Sequence, residues 1–401
     1  MDAGTSNLIL EGIKVVDLSR VIAGPFCAML LGDMGADVIK VEDTGIGDEV
    51  RAWPPHKEGL SACFLVNNRN KRGIAVDMKS PQGVAVVRQL LQQADVVVEN
   101  FRFGTMEKFG LGYEKLCELN PKLVYCSITA YGRSGPRAHE AGYEALVQAF
   151  AGIMSVTGES GRAPVRCGIS VVDLSTSMLC AMGIVSALYQ RSKTGLGQRV
   201  DGNLLSTSLA LLNYQAEGYL LAGVVPKALG SGIPGTSPYC NFRCADDQWV
   251  FIAGANENFW KRLTGAIGLS ALTEDPRYAT NAARVKNRVE LEQVVQEVVG
   301  RYQSEDLLKL LEKAGVPATP VNRINQVLED PQVAAQNMLW QVEQPRVGKV
   351  PVVGFPLSLS RMQPGVRRNP PQQGEHTDEV LRECGYSQSD IDQMRKMKAI
   401  L

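Results

Sequence analysis

Along roughly the first half of the chain, short apolar runs alternate with longer segments whose apolar positions recur every three to four residues. Runs at 12–18, 36–42, 73–78, 95–98 and 123–129 predict strands, and their nearly continuous Val, Ile and Leu content suits strands covered on both faces. Helical periodicity covers 24–34, opened by Gly24-Pro25 with proline in the first turn, then 81–92 and 142–154. Strands alternating with helices predict an α/β fold around a largely parallel sheet. A long helical pattern follows at 175–190, then a turn at 192–198 and a further helix at 203–221. Residues 228–238 are rich in Gly and Pro and read as a loop or linker. Beyond them, a hairpin over 239–253 turning at Ala245-Asp246-Asp247 and helices at 256–267, 288–302 and 305–313 predict a smaller unit. From 330 onward the pattern gives a helix, an extended stretch over 344–359 and a short helical tail.

Length and composition narrow this picture. At 401 residues the chain exceeds one small core and suggests two domains. Its 42 basic and 42 acidic side chains cancel, which argues against a general nucleic-acid or anionic-membrane partner. The segment Met1–Asn7 has no basic region followed by an apolar core, and no uninterrupted apolar run reaches the roughly 18 residues of a membrane span. A cytoplasmic location is expected, or the mitochondrial matrix if a targeting peptide has been removed. Nine scattered cysteines and three histidines (His56, His139, His376) show no metal-site spacing, so reduced thiols and no metal are expected.

Candidate chemistry centres on Gly168-Ile169-Ser170-Val171-Val172-Asp173, followed by Ser175, Thr176 and Ser177. No histidine, lysine or second carboxylate stands near Asp173 in sequence. Two roles fit: a helix N-cap, or a nucleophile used in its ionised form, which needs no base. Glycines at 32 and 35, and at 110 and 112, form no dinucleotide or P-loop fingerprint. Asn67-Asn68-Arg69-Asn70-Lys71-Arg72 reads either as a phosphate cradle or as a solvated basic turn. Asn100-Phe101-Arg102, after a strand, offers an aromatic beside a guanidinium at a position where parallel sheets hold ligands.

These segments together resemble a known family. Leu-Glu-Gly-Ile-Lys-Val-Val-Asp-Leu-Ser-Arg-Val-Ile-Ala-Gly-Pro at 10–25, Gly-Ala-Asp-Val-Ile-Lys-Val-Glu at 35–42 and Asn-Arg-Asn-Lys-Arg at 68–72 carry the likeness. So do Val-Glu-Asn-Phe at 98–101, Lys-Thr-Gly-Leu-Gly-Gln-Arg-Val-Asp at 193–201, Ala-Gly-Val-Pro at 314–317 and Gly-Glu-His-Thr at 374–377. The chain resembles the class III CoA-transferases over nearly its whole length. The resemblance implies a Rossmann-like large domain with a parallel sheet plus a smaller α+β domain, in an intertwined, ring-like homodimer. The large domain would span 1–200 and be completed by the tail 370–401, with linkers at 201–224 and 326–369 and the small domain at 225–325.

By the same resemblance Asp173 is the catalytic aspartate. Coenzyme A, as acyl-CoA substrate, would contact Ile22, Ala23, Val76, Asp77, Met78, Lys79, Asn100, Phe101, Arg102, Lys108, Ala141, Gly142 and Tyr143. Glu144, Tyr143 and Ile22 would line the pocket for the acids. The expected reaction moves CoA from an acyl-CoA such as succinyl-CoA to a carboxylic, dicarboxylic by preference, acid through aspartyl anhydride and aspartyl-CoA thioester intermediates. Asp43 stands where many members carry arginine, Ile22 where the oxalate enzyme has glutamine, and 230–238 is shorter than that enzyme's glycine-rich loop. An acyl-CoA racemase of the same fold is the alternative. Tyr143 replaces the racemase histidine and disfavours that reading, though His139 lies four residues away. A CoA-binding protein without catalysis is the third reading.

Overall fold

The computed structural model describes residues 8–254 and 256–401, so the segment Met1–Asn7 read above lies outside the described residues. The chain divides into two units. The first takes everything described up to Ala151, then Gly168–Asn213 and Pro331–Leu401; the second takes Gly152–Cys167 and Tyr214–Asp330. These bounds differ from the expected ones at three places, the first being the expected linker 201–224, of which 201–213 fall in the first unit and 214–224 in the second. Residues 152–167 fall with the second unit, and 331–369 belong to the first rather than forming a return linker. The hairpin Leu339–Gln344 with Gly348–Val353 explains the last difference, because it buries Trp340, Val342 and Val352 in the first unit's core.

The first unit is built on six parallel strands: β1 (Lys14–Asp17), β2 (Asp37–Glu42), β3 (Lys71–Ala75), β4 (Val96–Glu99), β5 (Val124–Thr129) and β6 (Arg199–Asn203), in the order β3-β2-β1-β4-β5-β6. The helices that matter here are α1 (Ala23–Asp33), α2 (Pro81–Gln93), α3 (Glu144–Phe150) and α4 (Val171–Thr194). Alternate strand residues go to opposite layers, as the pleat requires. Val15, Val38, Val96, Val124 and Cys126 pack with α1 and α4, whereas Val16, Ile39, Ile74, Val97 and Tyr125 pack with α2 and the C-terminal helices. Each fully buried aliphatic side chain contributes about 1.5–3 kcal/mol, which explains why these strands read as unbroken apolar runs.

Several elements depart from the sequence expectation. β6 was not expected, since Arg-Val-Asp-Gly-Asn lacks a strand pattern; it is an edge strand paired to β5 alone. β3 begins at Lys71, inside the segment read as a basic turn. α4 begins at Val171 and runs to Thr194, longer at both ends than predicted. By length and composition it could cross a membrane, with mean hydropathy 1.7, because Asp173 and the hydroxyls interrupt its apolar residues without lowering the average enough. Half of that window is buried, and Cys180, Ile184 and Ala187 pack into the first unit's core.

The second unit pairs β7 (Tyr239–Arg243), β8 (Trp249–Ala253) and β9 (Ala318–Pro320) in the order β9-β8-β7. Helices Glu257–Ala266, Arg288–Val299 and Ser304–Ala314 bury Trp260, Leu263, Leu291 and Leu307 with them. The Gly/Pro-rich loop is held rather than free: Arg288 donates to the carbonyls of Ile233 and Thr236, and Arg284 to that of Ser237.

Candidate active site

In an open parallel sheet, ligands bind beyond the carboxyl ends of the strands where the strand order reverses. Here that point lies between β1 and β4. The loops leaving these strands are clasped together by one side chain: Asn100 Oδ1 accepts from Arg20 N at 2.8 Å, and Asn100 Nδ2 donates to Arg20 O at 2.7 Å. The Arg20 guanidinium sits 5.2 Å from the Phe101 ring. Its neighbour Val21 has φ of 71°, a left-handed conformation that costs a β-branched residue about 1–3 kcal/mol.

A buried ionic network sustains that conformation. Val21 N donates to Asp48 Oδ1 at 3.1 Å, Asp48 Oδ2 lies 2.8 Å from Lys40 Nζ, and Lys40 donates to Ser19 O at 3.1 Å. Beneath it Lys71 Nζ meets Asp17 Oδ2 at 2.8 Å, and all four of these charged side chains are fully buried. Burial pushes Asp17 upward, yet the charges of Lys71 and Lys40 outweigh it and hold the carboxyl below its ordinary value. Burial pushes Lys71 down to about 8 against the pull of Asp17.

The whole 67–72 segment therefore serves neither of its expected roles. Arg69 grips the buried Asp33 with two bonds of 3.0 and 2.6 Å. Arg72 meets Asp37, Glu379 and Glu383 at 2.6, 2.9 and 2.7 Å, tying the C-terminal tail to the sheet. His376 acts in the same tail contact, its Nδ1 accepting from Gly73 N at 3.2 Å.

Asp173 lies in the first turn of α4, three residues after Ser170, so it is not the N-cap. It is 9% exposed, and among the described residues its carboxylate accepts no hydrogen bond. Glu144, the first residue of α3 after its N-cap Tyr143, is brought beside it although far away in sequence. Glu144 Oε1 accepts from Gln148 Nε2 at 2.5 Å and from Val172 N at 3.3 Å. Burial, and after it the charge of Glu144, push the Asp173 carboxyl up to about 7. The N-cap role is thus excluded, and the carboxyl is not held in its ionised form by hydrogen-bond donors. Protonated and ionised forms of Asp173 therefore coexist near neutrality. The hydroxyls after Asp173 are fasteners: Ser177 Oγ lies 2.6 Å from Ala23 O and 2.7 Å from Asp173 O, and Thr176 donates to Thr207 at 2.9 Å.

Two cavities meet at this edge of the sheet. A cavity of about 190 Å³ contains Asp173 together with Ile22, Ala23, residues 100–102 and residues 141–144. A second, of about 260 Å³, is lined by residues 76–79 over a floor that includes Lys40 and Asp48. Arg20 and Phe101 line both, which makes the pair one trough leading to Asp173. Asp43 lines the second cavity and accepts from Gly45 N at 2.8 Å. Lys108, at the end of the short helix Thr105–Lys108, is exposed and lines neither cavity. His139 packs at a tilt against Phe103 with centroids 4.9 Å apart and does not line the Asp173 cavity.

Arg20 was not singled out as a site residue from the sequence; only its place after an apolar strand in a parallel sheet could have flagged it. Among the described residues, no group of three or more His, Cys, Asp or Glu is arranged to hold a metal. The arrangement offers a desolvated carboxylate at the end of a trough edged by an aromatic ring and guanidinium groups. Such a trough suits a long anionic ligand whose reactive end is an acyl carbonyl.

Comparison with known proteins agrees in one direction. Residues 10–377 match CoA-transferase family III. The succinate–glutarate CoA-transferase of Agrobacterium fabrum is 41% identical over 381 residues, covering 93% of this chain and 95% of that protein. The succinyl-CoA:glutarate CoA-transferase of Homo sapiens is 40% identical, covering 93% of this chain and 85% of its own length. The crystal structure of a CAIB/BAIF family protein from Brucella suis superposes with a TM-score of 0.85 at 39% identity, covering 94% of this chain and all of that one.

Proposed function

The chain belongs to CoA-transferase family III and is an enzyme, and from that premise we propose that it moves CoA from succinyl-CoA to a second dicarboxylate by way of Asp173. The observation that carries this reading is the Asp173 carboxyl itself: buried, without a hydrogen-bond partner and facing the trough. A structural carboxylate at a helix start would be spent on backbone amides, and this one is not.

The chemistry balances without a base. An ionised Asp173 oxygen attacks the thioester carbonyl, the C–S bond breaks, and CoA leaves as thiolate from a mixed anhydride. The thiolate then attacks the aspartyl carbonyl, the anhydride C–O bond breaks, and succinate departs from an aspartyl-CoA thioester. The acceptor carboxylate attacks that thioester and releases the thiolate, which attacks the acceptor acyl carbon and frees Asp173. Splitting one exchange into several displacements lowers each barrier. No proton is gained or lost over the cycle.

Residues 76–79, Asn100, Phe101 and Arg102 would hold the nucleotide end of CoA, with Arg20 and Arg102 supplying positive charge along the trough. The names of the Agrobacterium and human relatives support glutarate as acceptor. A homodimer is part of the same reading. It is supported by the apolar side chains that α4 leaves in the open, with Met182 62% and Tyr189 65% exposed beside Met178 and Leu179.

The test is to incubate the enzyme with succinyl-CoA alone and map covalent CoA or succinyl adducts by peptide mass spectrometry. An adduct on the Asp173 peptide, absent in Asp173→Ala, is expected. A wild-type enzyme that turns over with no adduct, or carries one elsewhere, would overturn the proposal.

A further inference from the structure

Each displacement at Asp173 passes through a tetrahedral carbon bearing a negative oxygen, and that oxygen needs donors placed in advance. In the first turn of α4 only the amide of Asp173 itself lacks an acceptor among the described residues. Val171 N is bonded to Ile169 O, Val172 N to Glu144 and Leu174 N to Ser170 O. The start of α1 is different. Its N-cap Ile22 makes no side-chain capping bond, and the amides of Ile22 and Ala23 have no acceptor among the described residues, while Pro25 has no N–H to offer. Both Ile22 and Ala23 line the cavity that holds Asp173.

Three features fix these amides there. Ser177 Oγ contacts Ala23 O and Asp173 O together, so one buried hydroxyl holds the two backbone segments side by side. Gly24 lets the turn close, because a Cβ there would lie 2.1 Å from Ser19 Cβ. Val21 is held at positive φ by the buried Asp48, whose other oxygen is fixed by Lys40. Strain kept up by a buried ion pair next to unspent donors and an unpartnered, nine-tenths buried carboxylate has an economical explanation in catalysis.

We propose that the Ile22 and Ala23 N–H groups form the oxyanion hole for the tetrahedral species at Asp173, with Val21 and Asp48 as positioning residues. This rests on the reading of Asp173 as nucleophile. The oxygen they stabilise is that of the carbonyl under attack, which gains the electron pair as the new bond forms and returns it as the old bond breaks.

The test removes one N–H at a time; each ester also weakens the carbonyl before it, which at Ala23 is Ile22 O, the acceptor of Phe26 N at 2.8 Å, and at Ile22 is Val21 O, which accepts no backbone bond among the described residues. Incorporating lactate in place of Ala23 converts that amide to an ester, and the equivalent hydroxy acid of isoleucine does the same at Ile22. Since neither N–H has a structural partner, thermal unfolding should stay near that of wild type. The expected result is a loss of ~10²–10³ in kcat from at least one ester, with KM for succinyl-CoA changed less than about threefold. Rates within about threefold of wild type in both variants would overturn the inference. Adduct mapping separates the two failures: wild type without an Asp173 adduct defeats the nucleophile reading, whereas a normal adduct with unimpaired ester variants defeats the oxyanion hole alone.

Discussion

Replacing Glu144 with glutamine isolates the charge that faces the nucleophile. The Asp173 carboxyl is pushed up to about 7, first by burial and then by Glu144. Only the ionised form attacks, so kcat/KM for succinyl-CoA should rise with pH along a single-proton limb centred near 7. By simple titration, roughly a tenth of the enzyme is competent one pH unit below that midpoint and about nine-tenths one unit above. An unperturbed aspartate would give a flat profile over the same range. For an assumed separation of ~6 Å and an effective dielectric of ~20–80, two carboxylates repel by roughly 0.7–2.8 kcal/mol. Glu144→Gln should therefore move the limb down by roughly 0.5–2 pH units, leaving the part due to burial. The substitution keeps an acceptor oxygen for Gln148 and Val172 N, so the site should hold its shape. The assay is initial rates of thioester transfer from about pH 5 to about pH 9, corrected for spontaneous hydrolysis. A flat wild-type profile, or a limb that Glu144→Gln leaves in place, would refute the electrostatic reasoning.

Other expectations follow from the same structure. The raised Asp173 pKa means that ionising it costs folding free energy; the penalty is absent below the ordinary value of 3.8, grows as pH rises and is complete above about 7. Asp173→Asn should then be more stable than wild type at pH 8, by about 4 kcal/mol at most and roughly 1–3 given the open cavity, with the gap shrinking in acid on urea unfolding. Arg69→Met strands the buried Asp33 and should cost about 3–5 kcal/mol in the same assay. Ser177→Ala frees the start of α1 from α4; it should lower kcat about tenfold or more while KM for succinyl-CoA changes little, checked by steady-state kinetics. Native mass spectrometry should show a dimer, which a lysine at Met182 weakens.

What the sequence revealed and what it hid have physical causes. β1, β2, β4 and β5 were legible because both faces of each strand are buried, which leaves a nearly pure aliphatic run. β6 was not, since an edge strand paired on one side tolerates Arg199, Asp201 and Asn203. The basic stretch at 67–72 misled because its counterions, Asp33, Asp17 and Asp37, come from other elements. No local pattern records that three separate cations each have a buried or half-buried acid waiting.

The site divides in the same way. Asp173 stood out by its isolation from any base, and the loop carrying Phe101 by its position after a strand. The family resemblance puts Glu144 in the pocket for the acids, whereas no local pattern shows that its charge bears on Asp173, which depends on how α3 packs at α4. Arg20 and the idle amides of Ile22 and Ala23 could not be read, because backbone hydrogen-bond vacancies and the φ of Val21 belong to the folded chain alone.

The covalent relay makes a demand on Asp173 that no bystander residue would meet. In each cycle one of its side-chain oxygens leaves with the released succinate and is replaced by an oxygen from the acceptor carboxylate. Running many turnovers with heavy-oxygen-labelled glutarate, then quenching, digesting and weighing the peptide that contains Asp173, reads this directly. The account predicts label in the Asp173 side chain and none in other carboxylates. An unlabelled Asp173 after full turnover would contradict it.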